Sequence, residues 1–220
     1  MKIFKYIIPI YILIVVADGS FAQAPEINNK IILEENYQPE QGSIIIDGRP
    51  QNLFKISHLP GAINIQEAKF GEYLGKTITQ ENKFYLVAGD LSSLKHLMHQ
   101  ADSIGYSQEV LGAFVYNKTD GIKMDLFDKE DFIANPDKYT IIDIRSKQEY
   151  EENKIFPTAL NFPLDRLSGE AKNIPDGKPI VVHCATGYRS TIGSSIIFNQ
   201  IKNQRVLDMG AEVKEFRKNE

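Results

Sequence analysis

Ile180-Val181-Val182-His183-Cys184-Ala185-Thr186-Gly187-Tyr188-Arg189-Ser190 is the stretch on which the reading of this chain turns. Ile180–His183 is apolar without alternation until its last residue, as expected of a strand buried on both faces of a parallel sheet. A short loop with a glycine follows, and beyond Arg189 the residues Ile192, Ile196 and Ile197 recur at helical spacing. Strand, tight loop and helix make up the unit from which α/β folds are built. Ligands of open α/β sheets bind beyond the carboxyl ends of the strands. A loop entering a helix there turns backbone N–H groups inward, with the positive end of the helix dipole behind them.

Cys184 stands at that point and is the only cysteine in the chain. The nucleophilic form of a cysteine is its thiolate, which inward N–H groups and the nearby Arg189 favour. Ala185 and Gly187 are small enough to let the backbone curl around whatever the sulfur carries. A lone cysteine at a strand end is more often a small core hydrophobe; the loop, its glycine and its arginine tip the reading toward chemistry. His183 precedes the cysteine, faces the other way by strand alternation, and is read as structural.

Working outward, the stretch has an earlier counterpart. Phe84-Tyr85-Leu86-Val87-Ala88 matches Ile180–Cys184, and Ser43-Ile44-Ile45-Ile46-Asp47-Gly48-Arg49 matches Thr140-Ile141-Ile142-Asp143-Ile144-Arg145 around an Asp-x-Arg unit. Leu59-Pro60-Gly61-Ala62-Ile63-Asn64 matches Phe156-Pro157-Thr158-Ala159-Leu160-Asn161. The steps from Asp47 to Asp143 and from Ala88 to Cys184 are both 96 residues, and from Asn64 to Asn161 it is 97. A period that long indicates two copies of a small domain rather than a solenoid. Expected strands are Ile44–Asp47, Ala62–Ile65, Phe84–Ala88 and Glu109–Leu111, then Ile141–Ile144, Ala159–Phe162, Ile180–His183 and Val206–Asp208. Leu94, Leu97, Met98, Ala101 and Ile104 predict a helix stopped by Gly105. Asp143, Arg145 and Glu149 are spaced for local ion pairs, Asp143 with Arg145 and Arg145 with Glu149.

Asp-x-Arg, a Pro-x-Ala-x-Asn strand and a Cys-x-x-Gly-x-Arg-Ser loop, in this order, resemble the rhodanese family, as a tandem pair covering nearly all of the chain beyond its first residues. The resemblance implies an α/β fold of two rhodanese-like domains, each a small parallel sheet flanked by helices. A degenerate copy would occupy 27–116, a connector 117–135, and the copy with the cysteine 136–220. It also implies sulfur transfer: a small sulfur-containing anion such as thiosulfate loads Cys184 as a persulfide, and a thiol or cyanide removes the sulfur. On that pattern Ala185, Thr186, Gly187, Tyr188 and Arg189 hold the persulfide and donor, while Asp143, Arg145 and Ser190 support the loop. Four residues separate Cys184 from Arg189. Cysteine phosphatases place five there, so the shorter loop favours a single sulfur over a tetrahedral oxyanion and leaves a phosphatase or arsenate reductase as the weaker alternative. The Cys-Gly-x-Gly-Val loop of mercaptopyruvate-using relatives is absent. Lys154-Ile155-Phe156-Pro157-Thr158 departs from the family's Gly-His-Ile-Pro-Gly, and Met209-Gly210-Ala211 and Phe216 stand where Gly-Gly and Trp are usual. The first copy has Ala88-Gly89-Asp90-Leu91-Ser92-Ser93 and reads as catalytically dead, kept for packing, access or partner binding. A non-catalytic binding module is the alternative for the whole chain.

The 220 residues carry a net charge of −4, which argues against nucleic acid or an anionic membrane surface as the main partner. Lys2 and Lys5 precede the apolar run Ile7 to Ala17, followed by small residues around Ala22, the layout of a secretory signal peptide over 1–22. That run is short of the ~20 residues a bilayer span needs. Cleavage after Ala22 is preferred to Ala24, where Pro25 would follow the bond; the alternative is a retained anchor. An exported protein, periplasmic or secreted, is expected. No motif asks for a cofactor. His96 and His99 share a helix face but lack further metal ligands, and His58 is read as part of the fold.

Overall fold

The computed structural model describes residues 32–217; the leader read at 1–22 lies outside them. The apolar runs form two parallel four-stranded sheets. β1 (Ile44–Asp47), β2 (Ala62–Asn64), β3 (Phe84–Ala88) and β4 (Val110–Val115) lie in the order β2-β1-β3-β4. β5 (Thr140–Asp143), β6 (Leu160–Asn161), β7 (Ile180–His183) and β8 (Val206–Asp208) repeat that order as β6-β5-β7-β8. Crossovers between parallel strands need helices, and the chain supplies α1 (Gln51–Ile56), α2 (Phe70–Thr77), α3 (Leu91–Ser103), α4 (Lys129–Ala134), α5 (Lys147–Glu152), α6 (Leu164–Glu170), α7 (Tyr188–Gln200) and α8 (Val213–Phe216). Two α/β domains of one topology are the architecture.

Several strand ends differ from the sequence expectation. β4 runs on to Val115, because pairing with β3 continues from Tyr85↔Gly112 to Ala88↔Val115, while Glu109 belongs to a 3₁₀ turn. β6 is shorter than Ala159–Phe162, since the Ala159 amide turns back to Phe156 O and the pairing with β5 ends at Asp143↔Asn161. The predicted helix ends as expected, with Gly105 at φ +80°, a conformation open to glycine at little cost.

Alternation along β5 and β7 sorts their side chains to two faces. Ile142, Val182 and Cys184 join a core continuous with that of the first copy, which includes Ile46, Phe70, Leu86 and Leu97. Ile141 and Val181 face a separate cluster with Leu207, Met209 and Val213. Phe132, from α4 in the 117–135 segment, sits at the centre of that cluster and contacts Phe127, Tyr139, Phe156 and Phe216.

α7 lies between the two copies. Its residues Ser190 to Ile197 are all buried, which explains its small residues: a Cβ on Gly193 would come 2.8 Å from Ile144 Cδ1. The exposed backbone of an edge strand must be satisfied or it invites pairing. Here α7 does so for β2: Asn64 N–H donates to Ser195 Oγ at 3.2 Å, and Asn199 Nδ2 donates to Ala62 O at 3.1 Å. Among the described residues, no helix is long and apolar enough to cross a membrane.

Candidate active site

The frame of the site is a hydrogen-bonded clasp at the end of β5. Arg145 Nε lies 3.0 Å from both Asp143 oxygens, and Nη2 donates to Oδ2 at 2.6 Å and to Asn153 O at 2.8 Å. Asn161 Nδ2 donates to the carbonyls of Asp143 and Arg145, at 3.0 and 2.9 Å. Both members of the ion pair are buried, so each needs the other and these further bonds to offset desolvation. His183 faces away from Cys184, edge-on to Phe156 with ring centroids 5.0 Å apart, and its Nε2 is 3.7 Å from Asp143 Oδ2. Burial pushes its pKa down, with the nearby Asp143 carboxylate acting against it.

Cys184 directly follows β7 and is fully buried. Gly187 takes φ +101°, which aims its N–H at Sγ, 3.1 Å away. No residue with a Cβ fits there, since that atom would lie 2.5 Å from Gly210 C and 2.6 Å from Ala211 N. Ser190 Oγ donates to Gly187 O at 3.0 Å, closing the loop onto the first turn of α7. Ala185 is half-buried, while Thr186 and Tyr188 are exposed.

The expected Arg145–Glu149 pair does not form. Arg145 precedes α5 and folds back on Asp143, whereas Glu149 lies in the first turn of α5 and points at the first turn of α7. There Arg189 Nη1 and Nη2 donate to the two Glu149 oxygens at 2.6 and 2.7 Å. Glu149 Oε2 also accepts from Ser146 N–H in a capping box. The Arg189 bond, working against burial, holds the Glu149 carboxyl down to about 2, and Glu149 in turn raises Arg189. Arg189, within electrostatic reach of Cys184, is thus half of an ion pair rather than a free cation.

Above this pair opens a cleft of about 540 Å³, lined from the second copy by Arg189, Glu149 and Arg166 and from the first by Glu72, Tyr73 and Lys76. Tyr73 was not identifiable from the sequence as part of a site. Burial first, then its bond with Glu72, pushes its hydroxyl up to about 12, and it lies within electrostatic reach of Arg189 and Cys184. It stands on α2, in the copy that lacks a thiol, where no sequence motif marks it.

A family model for the rhodanese-like domain matches the chain twice, over residues 32–111 and 128–213. The chain belongs to the rhodanese-like family. A thiosulfate sulfurtransferase from Pseudomonas aeruginosa is 16% identical with a TM-score of 0.33; the match covers 75% of this chain and 37% of that one. A human single-domain sulfurtransferase is 18% identical with a TM-score of 0.35, covering 46% of this chain and all of the other. SseA from Escherichia coli is 13% identical, TM-score 0.32, with 75% and 91% covered. No curated protein matches the chain.

The other copy of this rhodanese-like protein keeps a cavity at the equivalent place, about 660 Å³, with Ala88, Leu53 and Ser93 where the second copy has Cys184, Glu149 and Arg189. Asp90 caps α3 there by accepting from Ser93 N–H at 2.9 Å. His96 is bound to Glu67, and no group of three or more metal-ligating side chains occurs among the described residues. His58 is buried against Phe54.

Proposed function

We propose that this chain is a sulfurtransferase that carries sulfane sulfur on Cys184, taking it from thiosulfate or a related small sulfur anion and passing it to a thiol or to cyanide. The observation that supports this best is the Gly187 N–H directed at Sγ from 3.1 Å, a donor placed to favour an anionic sulfur. In the first step the Cys184 thiolate attacks the outer sulfur of thiosulfate. The new S–S bond forms as the old one breaks, and sulfite leaves with the bonding pair. In the second step an acceptor thiolate attacks the terminal sulfur of the persulfide and the Cys184 thiolate departs. The persulfide anion is held by the backbone from Ala185 to Arg189, with the Asp143–Arg145 clasp and Ser190 keeping the loop in place. The donor arrives through the cleft lined by Tyr73 and Arg189. With the leader over residues 1–22, this chemistry belongs in the periplasm or outside the cell.

The test is the intact mass of purified protein before and after thiosulfate. A gain of one sulfur atom that is absent in Cys184→Ser is the expected result. A folded wild-type protein that gains none overturns the reading. The full burial of Cys184 would then favour a non-catalytic, partner-binding module instead.

A further inference from the structure

Beside the cysteine loop, the copy without a thiol reaches into the copy that has one. Lys55, on α1, places Nζ 2.8 Å from Asp208 Oδ2 and donates to Asp208 O at 3.2 Å. The lysine side chain is only 14% exposed and the aspartate not at all, so this is an ion pair inside the molecule, not on its surface. Asp208 ends β8 and uses its carboxylate in two further directions. Oδ1 accepts from Gly210 N–H at 2.9 Å, and Oδ2 accepts from the Thr191 hydroxyl at 2.9 Å. Thr191 Oγ1 also lies 2.6 Å from the side-chain amide of Gln51, the second α1 residue at this junction. The single hydroxyl proton of Thr191 has two acceptors within reach, the Asp208 carboxylate and Gln51 Oε1.

The two partners of Asp208 flank Gly187. Gly210 packs directly against it, so closely that a Cβ on Gly187 would sit 2.5 Å from Gly210 C. Thr191 lies one turn further along α7. The position of Gly187 sets the direction of its N–H, and that N–H bonds the cysteine sulfur. The links from Lys55 to Sγ are thus an ion pair, a hydrogen bond from Gly210 N–H to Asp208, the close packing of Gly210 on Gly187, and the Gly187 N–H bond to sulfur. The other titratable groups around the sulfur, Tyr73 on α2, Glu149 on α5, His183 on β7 and Arg189 on α7, lie outside this chain of contacts.

We propose that Lys55 is a positioning residue for Cys184: the catalytically dead copy, through the Lys55–Asp208 pair, holds the Gly210 shelf and the start of α7 so that the Gly187 amide stays on the sulfur. This gives the first copy a task in the chemistry of the second, and it rests on the sulfur-transfer reading. Removing the lysine leaves a buried carboxylate without its counter-charge, which must turn, recruit water or take up a proton. A carboxylate that turns carries its bond to Gly210 N–H with it, and one that takes up a proton holds that N–H more weakly.

The experiment compares wild type, Lys55→Met, Lys55→Arg and the double variant Lys55→Met/Asp208→Asn, with folding checked by circular dichroism. Cys184 alkylation by iodoacetamide is followed as a function of pH, alongside kcat and KM with thiosulfate. Lys55→Met is expected to shift the alkylation profile to higher pH and to lower kcat by up to about 100-fold, the scale of an ångström-level misplacement, with KM changed much less. Lys55→Arg should restore most of both. If Lys55→Met alone does not fold, the double variant carries the test, since it leaves no buried charge uncompensated; the same shift is expected from it. A folded Lys55→Met or double variant with the wild-type alkylation profile overturns the proposal. Because alkylation needs no sulfur donor, a wild-type protein that takes up no sulfane sulfur would sink the sulfur-transfer reading while leaving the effect on the thiol measurable.

Discussion

The two copies agree where the backbone is held and differ where the chemistry sits. In the first, Arg49 Nη2 meets Asp47 Oδ2 at 2.6 Å, and Asn64 Nδ2 donates to the carbonyls of residues 47 and 49 at 2.8 Å each. In the second, the Arg145–Asp143 distance is again 2.6 Å, and Asn161 makes the same two bonds. The loops that follow the third strand share none of this likeness. In the second copy Gly187 turns its amide to a sulfur; in the first, the Asp90 carboxylate occupies the helix N-terminus beside Ala88. The clasp is therefore a device of the fold and the loop a device of the site. A helix N-terminus attracts one negative group, and the first copy supplies that group from its own chain.

Removing the clasp from each copy should have the greatest consequence. Asp143→Ala leaves Arg145 buried without its partner and should cost roughly 3–5 kcal/mol. Asp47→Ala should cost a similar amount through Arg49, measured for both by urea unfolding. Equal losses would support a shared structural device; a loss confined to Asp143 would mark the second clasp as something more. A smaller effect is expected at the ion pair the first copy lacks. The Glu149 carboxyl is held at about 2 against an ordinary 4.5, so its contribution to stability is whole above about 4.5 and fades as pH falls through about 2. Glu149→Gln should flatten that part of the acid limb, while Leu53→Ala, at the matching position, should leave its shape unchanged. The smallest change is expected when a thiol is added to the first copy. Ala88→Cys in a Cys184→Ser background should take up no sulfur from thiosulfate, by intact mass, because Asp90 already serves the amides there. Uptake would show that the thiol alone, and not the loop around it, separates the two copies.

Much of the fold was legible because the signals were local or repeated. Ile44–Asp47, Phe84–Ala88, Ile180–His183 and Val206–Asp208 form strands over the ranges their apolar runs predict. β4 was underestimated because Gly112 and Ala113 carry little strand signal of their own; their register with Tyr85 and Leu86 makes them strand. Glu149 was matched to the wrong arginine for a related reason. Spacing along the chain finds partners three or four residues away, whereas Arg189 is 40 residues from Glu149 and meets it only because α5 and α7 start at the same end of one sheet. The Ser146-x-x-Glu149 capping signature was present and would have warned that Glu149 faces the start of its own helix.

Two copies of one α/β unit, with a thiol at one strand end and an alanine at the other, were readable along the chain. Periodicity, repeated spacing and the presence or absence of an atom type need no third dimension to be read. Tertiary structure alone decided that the copies share a core, that Tyr73 and Lys55 of the thiol-free copy stand beside Cys184 and its loop, and that Arg189 arrives already paired. The reason is physical: these contacts join residues far apart in the chain, and their strength depends on burial, which only the packing of α7 between the two sheets provides.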